Sequence, residues 1–563
     1  MADSVIDLAA TSVRSYGKNT YRPQAFEHIY TCNTGELIPT FATIQINPGS
    51  TYKITTSILA RLNTSRYPTI ARGWIEYAWF YVPHMQVWDN WDVLMGENKE
   101  SAWYSQPSVS VPQITVPSGQ TIQVGSLLDH FNWRTGIDDF SASALKIRAY
   151  NWIIDQYYRD QNIEAPYAPA TDDNAITYSA TGDWTVGNTP YSINRKADLW
   201  STCLPAPQKG PDTLLPLGVS APVAISRDAN KVLGFEAIYQ GNPVGYGLVD
   251  GGQGLSAWTG VYGADMYTTG TAGSATIVGQ RIGLTNDATK SGIKGVVDLT
   301  QATAANINDV RDAVVAQHIY ERDARSGTRA PEMLWARWGV EVDVLELGRP
   351  RLLTMNRFGI DFEQVPQTSA TGTGSGSGTE QGTLTAFGYT NNRSEDGTFS
   401  FKYAGTLMCL TAIRFEHKYQ QGIPYEDLKK DRFDFWHPEF AGLGDDAVPV
   451  SSLYATGGST GTIATGEVFG YAERGWEYKN FQSCITGQAR SEYNGGMDYV
   501  HLADVYNSKP TLSRAWMKEN PDNLDRTIFV TSAIANQWLV DFVAEFEITD
   551  TIPLYSIPGV DRL

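Results

Sequence analysis

The segment that most restricts how this chain can fold is residues 73–83, GWIEYAWFYVP, because it reads as a strand with two apolar faces. One face carries Ile75, Tyr77, Trp79 and Tyr81, and the other carries Trp74, Ala78, Phe80 and Val82. Successive side chains of a strand point to opposite faces, so this strand must be covered on both. Pro83 ends the pattern, because proline has no N–H to donate to a β-ladder. We therefore predict a strand between two layers of structure, with Glu76 as its one charged residue.

Strand-like segments open and close the chain, whereas helical patterns lie between them. Alternating apolar residues predict strands, and apolar residues at a spacing of three to four predict helices. The strand-like segments are 34–83, 399–417, 467–480 and 538–559, and the helical ones are 142–160 and about 306–323. This order favours an all-β-dominated fold, a double-sheet jelly roll or β-sandwich whose large loop insertions contain some helices.

Length and composition divide the chain into four predicted segments. Its 563 residues exceed the roughly 250–300 that one core holds. Residues 1–33 are expected to form an N-terminal arm, and 34–221 the first part of a jelly-roll core with a helical insertion. Residues 222–300 are rich in Gly, Thr, Ser and Ala and predict a variable surface insertion. Residues 301–563 are expected to supply a helix, loops and the remainder of the core.

The net charge of −18 argues against a protein that binds nucleic acid through bulk positive charge, since phosphates repel an acidic surface. One weakly basic segment remains near the start of the chain. Its residues Arg14, Lys18 and Arg22 are candidates for contact with a genome. A solvated N-terminal arm is the alternative interpretation of the same residues.

The sequence contains no motif typical of a catalytic, metal or membrane-spanning protein. The four cysteines have no metal-ligand spacing and indicate free thiols. His501 and Asp504 come closest to a functional pair, and an ordinary polar contact is their expected role. The chain opens without a signal-peptide pattern, and no apolar stretch approaches the roughly 20 residues of a membrane span. We therefore expect no enzyme, no cofactor and no membrane span.

The segment that follows Pro83, HMQVWDNWDVLMGEN, allows two interpretations. In the first it is a sugar site, in which Trp88 and Trp91 stack on a ring. Asp89 and Asp92 would then perform the acid–base chemistry of a glycosidase. A jelly-roll protein that binds or hydrolyses glycans is the function that this interpretation implies.

In the second interpretation the same segment is a structural corner. A short helix begins near Val87, and Trp88, Trp91 and Met95 pack beneath the sheet at helical spacing. The aspartates then lie in the first turns, where carboxylates favour the helix dipole. His84 has no partner that the sequence reveals.

Several long words of the sequence occur in an order that is specific to one family. They are TCNTGELIPTF, INPGSTYKITTSILARL, YAWFYVPHMQVWDNWDVLMGENKESAW, RAYNWIIDQYYRDQN, HIYERDARSGTR, QVPQTSATGTG, VFGYAERGWEYK, ENPDNLDR and PLYSIPGVDRL. In these words the chain resembles the major capsid protein of the Microviridae, the small single-stranded DNA phages, in their gokushovirus-like branch. The likeness is weak only at about 222–300, and Ser50 stands where the family often has Asp.

The resemblance implies an eight-stranded viral jelly roll and a structural role in the virion capsid. About 60 copies would form a T = 1 icosahedral shell around a circular single-stranded DNA genome, assembled in the bacterial cytoplasm. The implied partners are copies of the chain itself, the DNA, a small basic DNA-binding protein, internal scaffolding and DNA pilot proteins, and a host surface receptor. Residues 222–300 would form a spike at the threefold axes, with Trp258, Tyr262 and Tyr267 as candidate host contacts.

Overall fold

A computed structural model gives the fold of most of the chain. It describes residues 20–97, 109–211, 213, five strands between 223 and 297, and residues 307–327, 329–343, 345, 348–369, 381–457, 467–493 and 495–552. The chain divides into two compact units, one formed by residues 1–209 and 321–563 and the other by Gly210–Tyr320. No helix in the described part of the chain is long and apolar enough to cross a membrane.

The first unit is built on eight long strands and several short ones. The long strands are β1 (Thr20–Cys32), β2 (Glu36–Ile46), β3 (Thr51–Leu62), β4 (Gly73–Pro83), β14 (Arg351–Pro366), β15 (Leu384–Ser400), β16 (Gly405–Phe415) and β19 (Trp538–Asp550). The short strands are β5 (Gln113–Val116), β6 (Phe140–Ser143), β7 (Ile176–Thr177), β8 (Tyr191–Ser192), β17 (Asp445–Pro449) and β18 (Val468–Glu473).

The eight long strands form one curled antiparallel sheet with two layers. One layer has the order β1-β19-β3-β15 and the other the order β14-β4-β16-β2, to which the short β8 is added. The two layers join through β14, whose residues 351–360 pair with β4 and whose residues 361–366 pair with β15. Because the first and last strands are neighbours and every connection between the long strands except β4 to β14 passes from one layer to the other, this is a jelly roll. The predicted all-β fold with large insertions is confirmed.

The two layers enclose the main hydrophobic core. Trp79 of β4 packs on Phe542 and Phe546 of β19, with ring centroids 6.3 and 5.7 Å apart. Its indole Nε1 donates to the hydroxyl of Thr56 on β3, at 3.1 Å. The first apolar face of β4 is thus covered by the core between the two layers, as predicted.

The second face of β4 is also covered, as predicted. Ala78, Phe80 and Val82 belong to a separate core formed with the helical insertion that follows the strand. All eleven residues of β4 are buried. Glu76 is accommodated because Trp74 Nε1 donates to its Oε1 at 2.6 Å, and two arginines, Arg357 and Arg414, pair with its carboxylate.

Within the described residues, helices are few and lie mainly in the insertions. They are α1 (Trp91–Leu94), α2 (Leu127–His130), α3 (Leu145–Ile153), α4 (Ile307–Ser326), α5 (Ala330–Trp338), α6 (Arg514–Met517) and α7 (Asp522–Asp525). Helix α3 continues into one π-helical turn, Ile154–Tyr158, so the predicted helix at 142–160 is present with shorter bounds. Helix α3 is anchored to β2 because Tyr150 donates to the carbonyl of Leu37 at 2.8 Å.

The predicted N-terminal arm, residues 1–33, is wrong for Thr20–Cys32. Thr20–Cys32 form β1, which pairs with β19 along its whole length. Strand β1 lies at the edge of its layer and most of its side chains are exposed. An edge strand of this kind needs no regular apolar alternation, which is why the sequence suggested an arm.

In the second unit the structure describes five strands and most of helix α4. Strand β9 (Val223–Arg227) pairs with β13 (Ile293–Val297). Strand β10 (Gly234–Tyr239) pairs with β11 (Asn242–Gly247) and β12 (Ile282–Leu284). The remainder of the predicted insertion at 222–300 lies outside the described residues, so its role as a variable surface segment stays a prediction.

Candidate functional site

The corner after β4 is held together by Trp88 and a loop that lies far from it in sequence. Trp88 is fully buried, and its Nε1 donates to Oδ1 of Asp173 at 2.6 Å. The side-chain amide of Asn90 donates to both oxygens of the same carboxylate, at 3.1 and 3.0 Å. These hydrogen bonds from Trp88 and Asn90 lower the pKa of Asp173. The corner therefore fixes a charged acceptor in a set position.

Arg148 of α3 binds the same corner through backbone carbonyls. Its guanidinium donates to the backbone carbonyls of Val87, Asp172 and Asn174, at 3.2, 2.7 and 2.8 Å. The side chain is buried, so its charge depends on these acceptors for solvation. Arg148 thus joins the corner, the helix and the loop at 171–174.

This geometry favours the structural interpretation of the corner over a sugar site. A fully buried Trp88 has no face on which a sugar ring could stack, and Asp89 accepts a hydrogen bond from Thr171 at 2.8 Å. Trp91 packs on the ring of His84, with centroids 4.2 Å apart. His84 is buried and its Nε2 lies 3.1 Å from the carbonyl oxygen of Ile44, which supplies the partner that the sequence did not reveal.

The expected packing of Met95 beneath the sheet is wrong. Met95 is 62% exposed. Helix α1 begins at Trp91 instead of near Val87, so Met95 follows the last helical residue. The next residue, Gly96, has a φ of 106° and turns the chain away.

The other residues predicted from sequence are only partly described. Arg22 lies in β1, where its guanidinium pairs with the buried carboxylate of Asp550. Arg14 and Lys18 lie outside the described residues, as do the candidate host contacts Trp258, Tyr262 and Tyr267. Contacts of these residues with a genome or a receptor stay predictions.

Sequence reasoning missed a buried cluster of charges in the first unit. Asp504 lies 3.1 Å from Nδ1 of His417 and 2.9 Å from Nη1 of Arg195. The other ring nitrogen of His417 lies 3.2 Å from Oε2 of Glu519. All four side chains are at most 5% exposed. Asp504 was predicted to make a polar contact near His501, but its charged partners lie 87 and 309 residues away.

The cluster keeps its histidine charged. Burial disfavours the imidazolium, but the negative charges of Asp504 and Glu519 outweigh that effect and raise the pKa of His417 to about 10. Burial would raise the pKa of Asp504, yet His417 and Arg195 hold it well below its usual range. Two cations and two anions are thus enclosed together, and no group of three or more ligating side chains within the described residues is placed to hold a metal ion.

Large aromatic side chains are exposed on two segments of the same unit. Phe433 and Phe435 lie on one, and Tyr478 and Phe481 on the other. Lys429 links the segments, with its Nζ 5.3 Å from the ring centre of Phe435 and 4.4 Å from that of Tyr478. Phe481 is completely exposed. We call these four residues the exposed aromatic surface; such a surface is typical of contact with another protein.

Comparison with known proteins agrees with this arrangement. Residues 19–560 match the family described as "Capsid protein (F protein)". The chain is 32% identical to capsid protein VP1 of Spiroplasma virus 4 over 94% of its own length and 93% of that protein. It is 30% identical to capsid protein VP1 of Bdellovibrio phage phiMH2K, covering 93% of the chain and 92% of that protein. For capsid protein VP1 of Chlamydia phage 1 the identity is 27%, over 94% and 93%. The chain belongs to the F-protein family of phage capsid proteins.

Proposed function

We propose that about 60 copies of this capsid protein close into a T = 1 icosahedral shell around a circular single-stranded DNA genome. The observation that carries the proposal is the exposed aromatic surface on a jelly-roll unit. Large aromatic side chains that stay exposed in a single copy are typical of a surface that binds another protein. Burial against neighbouring copies removes Phe435, Tyr478 and Phe481 from water.

The acidity of the chain bears on how the genome is held. With a net charge of −18 per copy, the coat protein does not neutralise the DNA by its bulk charge. A small basic DNA-binding protein inside the shell supplies positive charge, and Arg14, Lys18 and Arg22 are the candidates on this chain. Scaffolding and pilot proteins assist assembly in the host cytoplasm. Mutual repulsion of acidic copies makes assembly dependent on ionic strength.

The shell proposal predicts the product of expression with its assembly partners. We expect closed icosahedral particles of one size, with about 60 copies of the chain per particle. Electron microscopy with image reconstruction measures the symmetry, and native mass spectrometry measures the copy number. A preparation that contains only small monodisperse species contradicts the proposal.

We further propose that residues 222–300 form a spike that contacts the host surface. The composition of this segment differs from the rest of the chain, and it falls within the separate second unit, Gly210–Tyr320. Trp258, Tyr262 and Tyr267 are the candidate contacts, since aromatic residues are enriched where proteins bind partners. A threefold assembly contact without a receptor role is the competing explanation.

The spike proposal predicts a loss of adsorption when residues 222–300 are replaced by a short Gly/Ser linker. Adsorption to cells should fall about tenfold or more, since even one lost contact worth about 1.4 kcal/mol has that effect. A matched control replaces residues 370–380, another Gly/Ser/Thr-rich segment, with the same kind of linker and should adsorb normally. Wild-type adsorption by the first variant contradicts the receptor role, and failure to form particles favours the assembly contact.

A further inference from the structure

A cleft of about 470 Å³ lies beside the paired strands β17 and β18. Its wall is formed by these strands, by residues around Asp198 and by the end of α4. Six of its side chains determine its chemistry: Asp198, Arg325, Asp445, Tyr471, Glu473 and Trp476. Three are carboxylates, two are aromatic and one is a cation.

One of these carboxylates has an oxygen that accepts no hydrogen bond from the described residues. The side chain of Asp445 is only 3% exposed. Its Oδ1 accepts from both Nε and Nη2 of Arg325, at 3.1 and 2.7 Å. Its Oδ2 is buried and receives no hydrogen bond from any described residue. Buried carboxylate oxygens are nearly always satisfied, because an oxygen that is removed from water and given no donor loses its solvation without compensation.

The remaining carboxylates leave the cleft negative. Asp198 accepts from the hydroxyl of Tyr419 and from the backbone N–H of Ser201, which are both neutral. Glu473 pairs with Lys479 at 2.7 Å, but both side chains are more than half exposed, so solvent screens this pair. Arg325 balances only Asp445, and at least one uncompensated negative charge remains.

The kind of ligand follows from these groups. No three ligating side chains in the described part of the chain are grouped to hold a metal ion, so the cleft does not suit a bare divalent cation. Carboxylates together with the half-buried Tyr471 suit a larger organic cation, since ammonium and guanidinium groups bind both to carboxylates and to aromatic faces. Trp476 is buried against Tyr425 and contributes only to the wall.

A neighbouring cavity indicates where that cation comes from. It has a volume of about 170 Å³ and shares Asp198 and Asn480 with the cleft. Its wall includes Phe481, the fully exposed member of the exposed aromatic surface. An exposed aromatic side chain is typical of a protein contact site, and an acidic cleft beside it is complementary to a basic side chain. A copy of this chain offers 43 lysines and arginines.

We propose that the cleft binds an aliphatic cation, the lysine or arginine side chain of a second copy, which reaches Asp445 while Phe481 packs against the same copy. The proposal rests on self-assembly of the capsid protein but not on the size or symmetry of the shell. It assigns the cleft a role in joining copies. A free polyamine carries the same cationic chemistry and is the other source to be distinguished.

Binding to the purified full-length chain before assembly tests the site itself. Isothermal titration with spermidine and with N-butylguanidinium should show binding that weakens about tenfold or more in Asp445→Asn, the loss of one charge-assisted hydrogen bond. Glu547→Gln, which alters an exposed carboxylate on β19, is the matched control and should bind as the wild type does. No binding by the wild type, or equal binding by all three proteins, overturns the proposal.

A second pair of variants keeps the test valid if Asp445→Asn folds poorly. Ala197 is exposed and lines both cavities. Ala197→Lys places a tethered cation at the cleft, whereas Ala197→Met adds similar bulk without charge. We expect Ala197→Lys to abolish spermidine binding and to raise the melting temperature. Ala197→Met should reduce spermidine binding less and should leave the melting temperature closer to that of the wild type. Equal effects of the two substitutions overturn the proposal.

The assembled particle then identifies the source of the cation. Particles made from a mixture of ¹⁴N- and ¹⁵N-labelled chains are treated with a carbodiimide, which joins a carboxylate to a nearby lysine. Mixed-isotope peptides that contain Asp445, Asp198 or Glu473 support the second copy. Spermidine recovered in stoichiometric amount, with no such peptide, overturns the second copy as the source. Probe binding is measured on the unassembled chain, so it tests the cleft even if the chain does not form the proposed shell.

Discussion

Asp504→Asn is expected to lower the free energy of unfolding by about 3–5 kcal/mol, the usual cost of removing one partner from a buried ion pair. Asp504 is in contact with His417 and Arg195, and it also accepts hydrogen bonds from Tyr506 and Asn523. An amide keeps the shape of the side chain but leaves two buried cations with a single remaining anion. Chemical denaturation of the unassembled chain measures the loss.

The matched control is an exposed pair of similar separation. Lys53 and Glu547 lie 3.2 Å apart with both side chains more than 40% exposed. Solvent screens this pair, so Glu547→Gln should change the free energy of unfolding by less than about 1 kcal/mol. If the two substitutions have equal effects, burial of the Asp504 cluster does not govern its contribution.

The pH dependence of unfolding gives the same substitution a second readout. The pKa of His417 is about 10 in the folded chain against 6.5 for the ordinary side chain. A raised pKa stabilises the fold fully below about pH 6.5 and loses that contribution as the pH rises through about 10. The wild type should therefore lose stability across this window, and Asp504→Asn should lose much less. A wild-type profile that is flat from pH 6.5 to 10 contradicts a charged His417.

The cluster also shows why part of the molecule could not be predicted from its sequence. Periodicity reports local structure, so the two-faced strand β4, the helix predicted at 142–160 and the structural character of the corner after Pro83 followed from neighbouring residues. The start of helix α1 and the exposure of Met95 did not. Asp504 and Arg195, for example, are 309 residues apart in the sequence. Only the tertiary fold brings such side chains together, and no spacing rule covers them.

The prediction for strand β1 was wrong for a different reason. The outer edge of this strand pairs with no other described strand, and residues such as Tyr21, Phe26 and Ile29 stay exposed, so the apolar alternation that marks a half-buried strand is missing. The cleft at Asp445 could not be predicted from the sequence either, because its three carboxylates are far apart in the chain and form no motif. The family likeness predicted the fold class without revealing either feature.

Trp88→Ala is expected to destabilise the unassembled chain by about 3–5 kcal/mol, the range for deleting a fully buried aromatic side chain. The substitution empties a site beneath β4 and removes the donor to Asp173. Trp88→Phe should cost less, because it keeps much of the ring volume and loses chiefly one hydrogen bond, worth about 1 kcal/mol. Denaturant midpoints of the three proteins measure this ranking.

Trp335→Ala is the control that separates a structural tryptophan from an exposed one. Trp335 lies on α5 with 68% of its surface exposed, so its removal should change the free energy of unfolding by about 0.5 kcal/mol or less. A tryptophan that served a sugar site would behave like Trp335, because a ligand-stacking face is left open to solvent and contributes little to the fold. If Trp88→Ala is as stable as Trp335→Ala, the corner is not a structural joint. If it shows the full loss, Trp88 and Arg148 hold the helical insertion on the jelly roll, and the paired Trp and Asp residues reflect packing instead of recognition.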